Sequence, residues 1–371
     1  MSFIILFIII LAILVFVHEL GHFVVARRNG VKAEEFGFGF PPRFLGVYKK
    51  NGKWKFSWGR KEIESDDTIY SLNWIPLGGF VKIKGEDGEV KDSDSFASKS
   101  AWVRIKILSA GVLMNFFLAW MVIWLAMMIG VPEAIQEGSA NFKNSKIQIA
   151  EVIPESPAQE MGFKIGDEIE KKQAGREFKD IQSVQDFIRE NKGKEISLLV
   201  KRGSEVLELR GTPRIDFPAN QGPLGVALAE TGIVKYSFFE GLWKSLLGLL
   251  NILLLMLSTL FLLIKQLILG QSVSFEVSGP VGIAVMTKQV ASLGLVYVLQ
   301  FAALISANLG LINILPIPAL DGGRILFILI EKIKRSPVSQ KTEQAFHTIG
   351  FMLLIGLMIL VTFRDIWKLF K

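Results

Sequence analysis

The sequence contains no cysteine and only three histidines, at positions 18, 22 and 347. The absence of cysteine excludes disulfide bonds and thiolate ligands, so any metal has to be held by His, Asp or Glu. Charged residues make up only 21% of the chain, whereas hydrophobic residues make up 50% and the mean hydropathy is +0.41. These proportions exclude an ordinary soluble enzyme and favour membrane spans that alternate with water-exposed segments.

The formal net charge is +7, yet no nucleic-acid-binding motif accompanies it. Basic loops that face anionic lipid explain this charge more simply, so we expect membrane lipid and no nucleic acid as a partner. Lys and Arg are concentrated in residues 27–61, which places the polar loop 27–106 on the cytoplasmic side by the positive-inside rule. The N-terminus is then expected outside the cytoplasm.

Four stretches are apolar and long enough to cross a bilayer, which requires about 20 residues. They comprise residues 2–26, Ile107–Gly130, Gln289–Leu320 and Phe346–Phe363. In the polar loop after the first of them, Tyr48–Trp58 alternates around an Asn-Gly pair, which predicts a β-hairpin. The segment 132–231 has short apolar strands and one helix-like stretch, and it predicts a small α+β module.

His18, Glu19 and His22 form an H-E-x-x-H pattern inside the first apolar stretch. On a helix, residues four apart share one face, so both imidazoles reach one ion while Glu19 stands beside its water. Ionisable groups are costly in a membrane and mark functional sites. A polar cluster that only joins helices is the alternative, but the pattern favours a zinc site.

Two histidines do not complete a catalytic zinc site, which usually has three protein ligands and one open position. Asp321 is the sole acidic residue between positions 289 and 330, and Pro316 and Pro318 interrupt the helix before it. On local evidence, Asp321 is equally well explained as the cap of a helix that begins near Gly323. Because the two histidines leave a zinc site one ligand short, we interpret Asp321 as the third ligand.

The metal also constrains the topology. Both histidines lie late in the first span and Asp321 follows the third, so these two spans have to run in the same direction. A further apolar stretch, Ser245–Ile264, is therefore predicted not to cross the membrane. A crossing would place Asp321 most of a bilayer, ~30 Å, from the histidines.

These features resemble the site-2 protease family of intramembrane zinc metalloproteases, in particular its bacterial branch that includes the regulator-of-sigma-E protease. The resemblance rests on His18–His22, Phe36–Pro41, Pro76–Lys82, Asn115-Phe116, the PDZ-like segment 132–231, Ser278–Pro280 and Asn308–Gly323. Members of this type often carry two PDZ domains, whereas this chain has room for one.

The resemblance implies that His18, His22 and Asp321 bind one Zn²⁺ per chain and that Glu19 is the catalytic acid/base. It further implies a membrane-associated β-loop at Ile69–Lys84 that holds substrate as an added strand. The other candidate substrate-binding residues are Asn313, Gly78, Gly79, Phe80 and, in a possible carboxylate-binding loop at 222–226, Gly225.

The expected architecture is a multi-span α-helical membrane protein with four transmembrane helices, an inserted α+β PDZ-like domain and the β-loop. Its predicted parts are the first half of the protease core (1–131), the PDZ-like domain (132–231), a membrane-associated apolar linker helix (232–288) and the second half of the core (289–371). We expect it in a bacterial plasma (inner) membrane, with the PDZ-like domain outside the cytoplasm.

The expected activity is hydrolysis of peptide bonds within or near transmembrane segments of single-span membrane proteins. Such regulated intramembrane proteolysis would act on an anti-sigma factor, for example, or on leftover signal peptides. The alternative is a non-enzymatic zinc-binding membrane adaptor that recruits partners through its PDZ-like domain. A structural metal site needs four protein ligands, and beyond Glu19 the sequence offers no fourth at that depth. The sequence does not indicate an oligomeric state.

Overall fold

The computed structural model describes residues 3–59, 63–86, 92–134, 146–173, 176–203, 205–218, 221–271, 278–336 and 338–369. The loop 27–106, the segment 132–231 and the linker 232–288 are therefore described in part. Two compact units are found. The helical unit comprises Met1–Trp124, Leu242–Lys288 and Leu299–Lys371, and the mixed unit comprises Leu125–Gly241 and Gln289–Val298.

The described residues form nine α-helices. They are α1 (Phe3–Arg28), α2 (Ala101–Ile129), α3 (Pro157–Met161), α4 (Ile181–Glu190), α5 (Phe238–Ile268), α6 (Pro280–Leu293), α7 (Leu295–Ile314), α8 (Asp321–Lys334) and α9 (Gln340–Leu369). In this part of the chain α1, α2, α5, α7 and α9 are long and apolar enough to cross a membrane. The predicted class, a helical membrane protein with several spans, is confirmed.

The third predicted span is shorter than its apolar stretch, Gln289–Leu320. Gly294 has a φ of 115°, a conformation that favours glycine, and it separates α6 from α7. At the other end α7 stops at Ile314, because Pro316 disfavours helical geometry in the residue before it. The helix that remains, α7, still has 20 residues.

A bent sheet follows α1 in the helical unit. Its strands are β1 (Ala33–Lys50), β2 (Lys53–Trp58) and β3 (Ile69–Ile83), in the order β2-β1-β3. Asn51 and Gly52, with φ of 52° and 73°, form the turn between β1 and β2, and Lys50 pairs with Lys53. Positive φ at both central residues is the geometry that an Asn-Gly turn provides, so the predicted hairpin is confirmed.

The two halves of β3 lie on opposite sides of the first half of β1. Phe36 pairs with both Val81 and Tyr70, and Tyr70 pairs in turn with Val47 in the second half of β1. The first half of β3 is thus enclosed between the two halves of β1. Its second half, around Val81, forms the outer edge of the sheet and packs along α1.

The mixed unit is an α+β module, as the sequence predicts. Its strands are β4 (Val131–Ala134), β5 (Lys146–Val152), β6 (Glu168–Ile169), β7 (Lys172–Gln173), β8 (Arg176–Glu177), β9 (Ile196–Arg202), β10 (Glu205–Gly211) and β11 (Val226–Val234). They form a six-stranded sheet in the order β10-β9-β6-β5-β11-β4 and a separate β7-β8 ribbon. Val184 and Ile188 of α4 are buried in its core.

Buried Asp167 accepts two hydrogen bonds of 2.7 Å from Arg202, and this contact raises the pKa of the Arg202 guanidinium.

Candidate active site

Helix α1 presents the H-E-x-x-H residues to the interior of the helical unit. His18 and His22 are four residues apart, so both lie on one face of the helix, and each is only 6% exposed. Their Nε2 atoms are 3.1 Å apart. Two imidazole nitrogens thus converge on one point, as the sequence predicts for a metal site.

Asp321 completes the group from a different part of the chain. Its Oδ2 atom lies 3.1 Å from Nε2 of His18 and 3.4 Å from Nε2 of His22. Helix α8 begins at Asp321 itself, and its cap position is Leu320, which makes no side-chain cap hydrogen bond. Asp321 is therefore not the cap of a helix starting near Gly323, and its carboxylate is directed at the histidines.

The two glycines after Asp321 allow the chain to turn this tightly. A Cβ added at Gly322 would collide with the carbonyl oxygens of Ile314 and Leu315, and one at Gly323 with that of Ile317. The backbone before Asp321 thus folds directly over the start of α8. Only residues without a side chain fit there.

The three ligand atoms fit a zinc ion. Zinc–nitrogen and zinc–oxygen bonds of about 2.0–2.1 Å in a tetrahedral site put neighbouring ligand atoms about 3.3–3.4 Å apart. The observed separations of 3.1 to 3.4 Å are close to this value. Asp321 Oδ2 is also buried without a hydrogen-bond donor among the described residues. A cation is what satisfies three converging lone pairs at a buried position.

The remaining ring nitrogens of the histidines are held by α2. Nδ1 of His22 lies 2.9 Å from the carbonyl oxygen of Ile107, so it carries the proton and leaves Nε2 free for a metal. Nδ1 of His18 lies 3.1 Å from the amide nitrogen of fully buried Asn115, whose amide oxygen has no hydrogen-bond partner among the described residues. With Nε2 of His18 on a metal, Nδ1 carries a proton, and a half-turn of the Asn115 amide group would present that oxygen to it as the acceptor.

Helices α1 and α2 cross closely at two glycines. A Cβ at Gly21 would collide with the carbonyl group of Ala110. A Cβ at Gly111 would lie 2.7 Å from Cε1 of His18 and closer still to Nε2 of His22. Small residues let membrane helices approach in this way, and here the approach provides the space in which the histidines meet.

Glu19 connects the metal group, which is His18, His22 and Asp321, to the sheet. Its Oε2 atom accepts a hydrogen bond of 3.0 Å from the backbone N–H of Val81, at the outer edge of β3. Of the substrate-binding candidates, Gly78 packs against Val15 of α1 and Gly79 lies against the backbone of Gly37. Phe80 is next to Val81 in the same strand. These β3 residues therefore lie beside Glu19.

Asn313 also belongs to this group, because its amide nitrogen lies 3.4 Å from Nε2 of His18. Gly225 lies elsewhere, in the mixed unit. It has a φ of 79° and follows Gly222 in a turn that lines a cleft of about 490 Å³ beside α4. The structure thus brings together all the predicted site residues of the helical unit and does not include Gly225 among them.

His347, the third histidine, is not part of the metal group. Its Nδ1 atom accepts a hydrogen bond of 2.9 Å from the backbone N–H of Ala319, two residues before Asp321. Ala319 has a φ of 69°, which is unusual for a residue with a side chain. In the same helix, α9, Gly350 packs directly on Pro318. The loop that carries Asp321 is thus held by α9.

Known proteins resemble this chain over nearly its full length. A relative from Clostridium perfringens, provisionally named a zinc metalloprotease, is 36% identical over 357 residues, 95% of each chain. The regulator of sigma-W protease RasP from Bacillus subtilis is 30% identical over 453 aligned residues, 99% of each chain. A zinc metalloprotease RasP from Bacillus licheniformis is 28% identical over the full length of both chains.

The sequence also matches the family described as Peptidase family M50, over residues 6–59 and 60–357. The two matched ranges contain the H-E-x-x-H residues of α1 and Asp321, together with the whole mixed unit. The family and the relatives thus cover both units. On this evidence the chain belongs to Peptidase family M50, the site-2 protease family.

Proposed function

We propose that this protein is an intramembrane zinc endopeptidase that hydrolyses peptide bonds within or near transmembrane segments of membrane proteins. The observation that carries this proposal is the convergence of His18, His22 and Asp321 beside Glu19 on an apolar helix. Membership of Peptidase family M50 and the zinc metalloprotease names of the relatives support it.

His18, His22 and Asp321 hold one zinc ion per chain. No other His, Asp or Glu among the described residues lies within ligand distance of these three, so a fourth coordination position is open. An open position favours catalysis over the structural metal site of a non-enzymatic adaptor. Zinc bound there would make a bound water acidic enough to ionise near neutral pH and would polarise the carbonyl group to be attacked.

Glu19 is the acid/base. The Val81 N–H fixes Oε2 of its carboxylate, and the other oxygen accepts the proton of the attacking water. The same carboxyl group then donates this proton to the amide nitrogen that leaves. Asn313, 3.4 Å from the metal-facing nitrogen of His18, is placed to donate a hydrogen bond to the substrate carbonyl oxygen.

The substrate binds as an added strand at the outer edge of β3. A transmembrane helix hides its carbonyl groups in its own hydrogen bonds, so it has to unwind before it is cut. Pairing with Gly78, Gly79 and Phe80 replaces the hydrogen bonds that are lost. Single-span membrane proteins and leftover signal peptides are the substrates of this kind, and the regulator name of the Bacillus subtilis relative supports a role in signalling.

Removal of the third ligand tests the zinc assignment. We expect Asp321→Ala to lower zinc affinity at least about 100-fold, because even groups that only support metal ligands contribute 10–100-fold. Zinc content is measured in purified protein, and cleavage is followed by mass spectrometry of a synthetic single-span peptide. A chelator should stop the unchanged enzyme, and added zinc should restore it.

The matched control is Asp186→Ala, which removes an exposed aspartate from α4 of the mixed unit. It should keep one zinc ion and full activity. If Asp321→Ala also binds zinc normally and cleaves the peptide, Asp321 is not the third ligand.

The mixed unit acts as a PDZ-like domain that selects substrates. The cleft beside α4 lies at the start of β11, where Gly222, Pro223, Leu224 and Gly225 turn the chain. Backbone N–H groups in such a turn bind a peptide carboxylate, and an extended peptide adds to the free part of β11. β4 pairs with β11 only from Thr231 to Val234, and no described residue pairs on that side with the part of β11 before Thr231.

Four helices, α1, α2, α7 and α9, cross the inner membrane of a bacterium. The metal ligands come from the late end of α1 and from just after α7, so these two helices have to run in the same direction across the membrane. The chain between α2 and α7 therefore begins and ends on the same side of the membrane. Helix α6 has 14 residues, about 21 Å, and is too short to cross. Helix α5 therefore lies along the membrane or against the core without crossing, and the mixed unit lies outside the cytoplasm.

The absence of native cysteine makes this topology directly measurable. Single cysteines at Ser237 and Ser292, on either side of α5, should both react with a membrane-impermeant reagent added outside the cell. A cysteine at Lys53, in the basic loop, should react only after the cytoplasmic face is opened. If Ser237 and Ser292 are labelled from opposite sides, α5 crosses, and both the four-span topology and the Asp321 assignment fail.

A further inference from the structure

The hairpin formed by β1 and β2 has one strongly apolar face that no described residue covers. Along β2, Trp54, Phe56 and Trp58 alternate with smaller or charged residues, so the three rings project from the same face. They are 60%, 68% and 63% exposed. Large rings that remain exposed in a row indicate a surface that meets something apolar.

This surface extends onto β1 and β3. Phe44 contacts Trp58 and Trp74, with ring centroids 5.4 and 4.8 Å apart, and Trp54 lies 6.4 Å from Tyr70. Trp74 is 64% exposed. We call Phe44, Trp54, Phe56, Trp58, Tyr70 and Trp74 the aromatic face.

Contacts with α1 give the depth of the aromatic face. At the charged end of α1, Arg27 donates a hydrogen bond of 3.1 Å to the Tyr70 hydroxyl. Further along β3, a Cβ at Gly78 would lie 2.6 Å from Val15, twelve residues or about 18 Å earlier on the same helix. β3 therefore descends from the end of α1 to its middle, and Trp74 lies deeper than Tyr70.

The hairpin follows the same gradient. Trp54, beside Tyr70, is level with the end of α1, whereas Trp58, beside Phe44 and Trp74, is deeper. The turn of the hairpin points the other way and carries three lysines, Lys49, Lys50 and Lys53. The lysines thus lie at the shallow end and the aromatic rings lie deeper. Side chains of membrane proteins follow the same arrangement at the boundary between lipid headgroups and acyl chains.

We propose that the aromatic face is inserted in the headgroup and acyl boundary of the bilayer, on the side where α1 ends. The lysines of the turn then lie among anionic headgroups, to which they are complementary in charge. The aromatic face is a surface distinct from the outer edge of β3 that faces Glu19. The aromatic face anchors the sheet at a fixed depth. This proposal rests on α1 being a membrane span and does not depend on the proposed catalysis.

Spin labels measure this depth. Single cysteines at Trp54, Phe56 and Trp58 carry a nitroxide in the full-length protein, reconstituted in vesicles of phosphatidylcholine and phosphatidylglycerol. Lys55, which points to the opposite face of β2, provides the matched control. Relaxation of each label by oxygen, which concentrates in lipid, is compared with relaxation by a water-soluble nickel chelate.

We expect oxygen to dominate at Phe56 and Trp58 and the nickel chelate to dominate at Lys55. The ratio of oxygen to nickel relaxation should rise from Trp54 to Trp58. Equal access of the nickel chelate to Phe56 and Lys55 would show that the hairpin stands in water. Labels reached by neither reagent would show that protein covers the face, either a second copy or a substrate. Both results overturn the proposal, and neither depends on whether the protein cleaves peptides.

Discussion

Glu19→Gln is expected to lower kcat for cleavage of a single-span peptide by roughly 10²–10⁴-fold, the range that general acid–base catalysis contributes. Glutamine has nearly the same shape as glutamate, and its amide oxygen still accepts the hydrogen bond from Val81 N–H. It cannot take a proton from water at neutral pH. Zinc content should stay at one ion per chain, because His18, His22 and Asp321 are unchanged.

The measurement pairs cleavage rate with metal content on the same sample. Glu64→Gln is the control, since its side chain is 91% exposed in the helical unit, and it should change neither quantity. Full activity of pure Glu19→Gln would remove Glu19 from the acid/base role. Loss of zinc from this variant would instead show that Glu19 is a ligand, and the open fourth position would then not exist.

Gly111→Ala is expected to lower both zinc affinity and the rate of cleavage strongly, although residue 111 has no chemistry of its own. The added methyl group would occupy the space between His18 and His22, and the backbone of α2 cannot retreat without losing the contacts of Ile107 and Asn115 with the same rings. We expect zinc affinity to fall roughly 100-fold or more, at the upper end of the range for residues that support ligands.

Gly356→Ala is the matched control for this substitution. Gly356 lies in the middle of α9, and nothing lies within 4 Å of a Cβ added there. This change should leave zinc binding and activity intact. Zinc retention during dialysis against a chelator separates the two variants. Normal retention by Gly111→Ala would mean that α1 and α2 do not approach as closely as described.

Local patterns predicted the parts of the site that depend on helical spacing or on turn chemistry. The positions of His18 and His22 follow from the four-residue spacing alone. The β1–β2 turn follows from an Asn-Gly pair, whose preference for positive φ is intrinsic. Asp321 was found by the scarcity of acidic residues near it, and the structure directs its carboxylate at both histidines.

Contacts set by the rotation of one helix against another could not be predicted in this way. A polar residue inside a span commonly joins two helices, but the side-chain partner of Asn115 is His18, and this depends on which side of α2 faces α1. Gly111 gave only the general signal of a small residue in a span. The His347 side chain accepts a hydrogen bond from the backbone N–H of Ala319, 28 positions away. Because the donor is a backbone group, no pattern of side chains predicts this contact.

The hydrogen bond between Val81 and Glu19 joins the carboxylate of the proposed acid/base to the backbone of a sheet edge. Along a strand every second residue faces outward, so the next outward backbone groups belong to Gly79 and Ile83. A substrate strand that pairs there shifts in steps of two residues relative to Glu19. Under the proposed strand addition, the register of this pairing would choose the peptide bond that is cut, and the neighbouring side chains would be secondary. One enzyme would in this way accept many unrelated membrane segments, provided that each unwinds at the same distance from its point of entry.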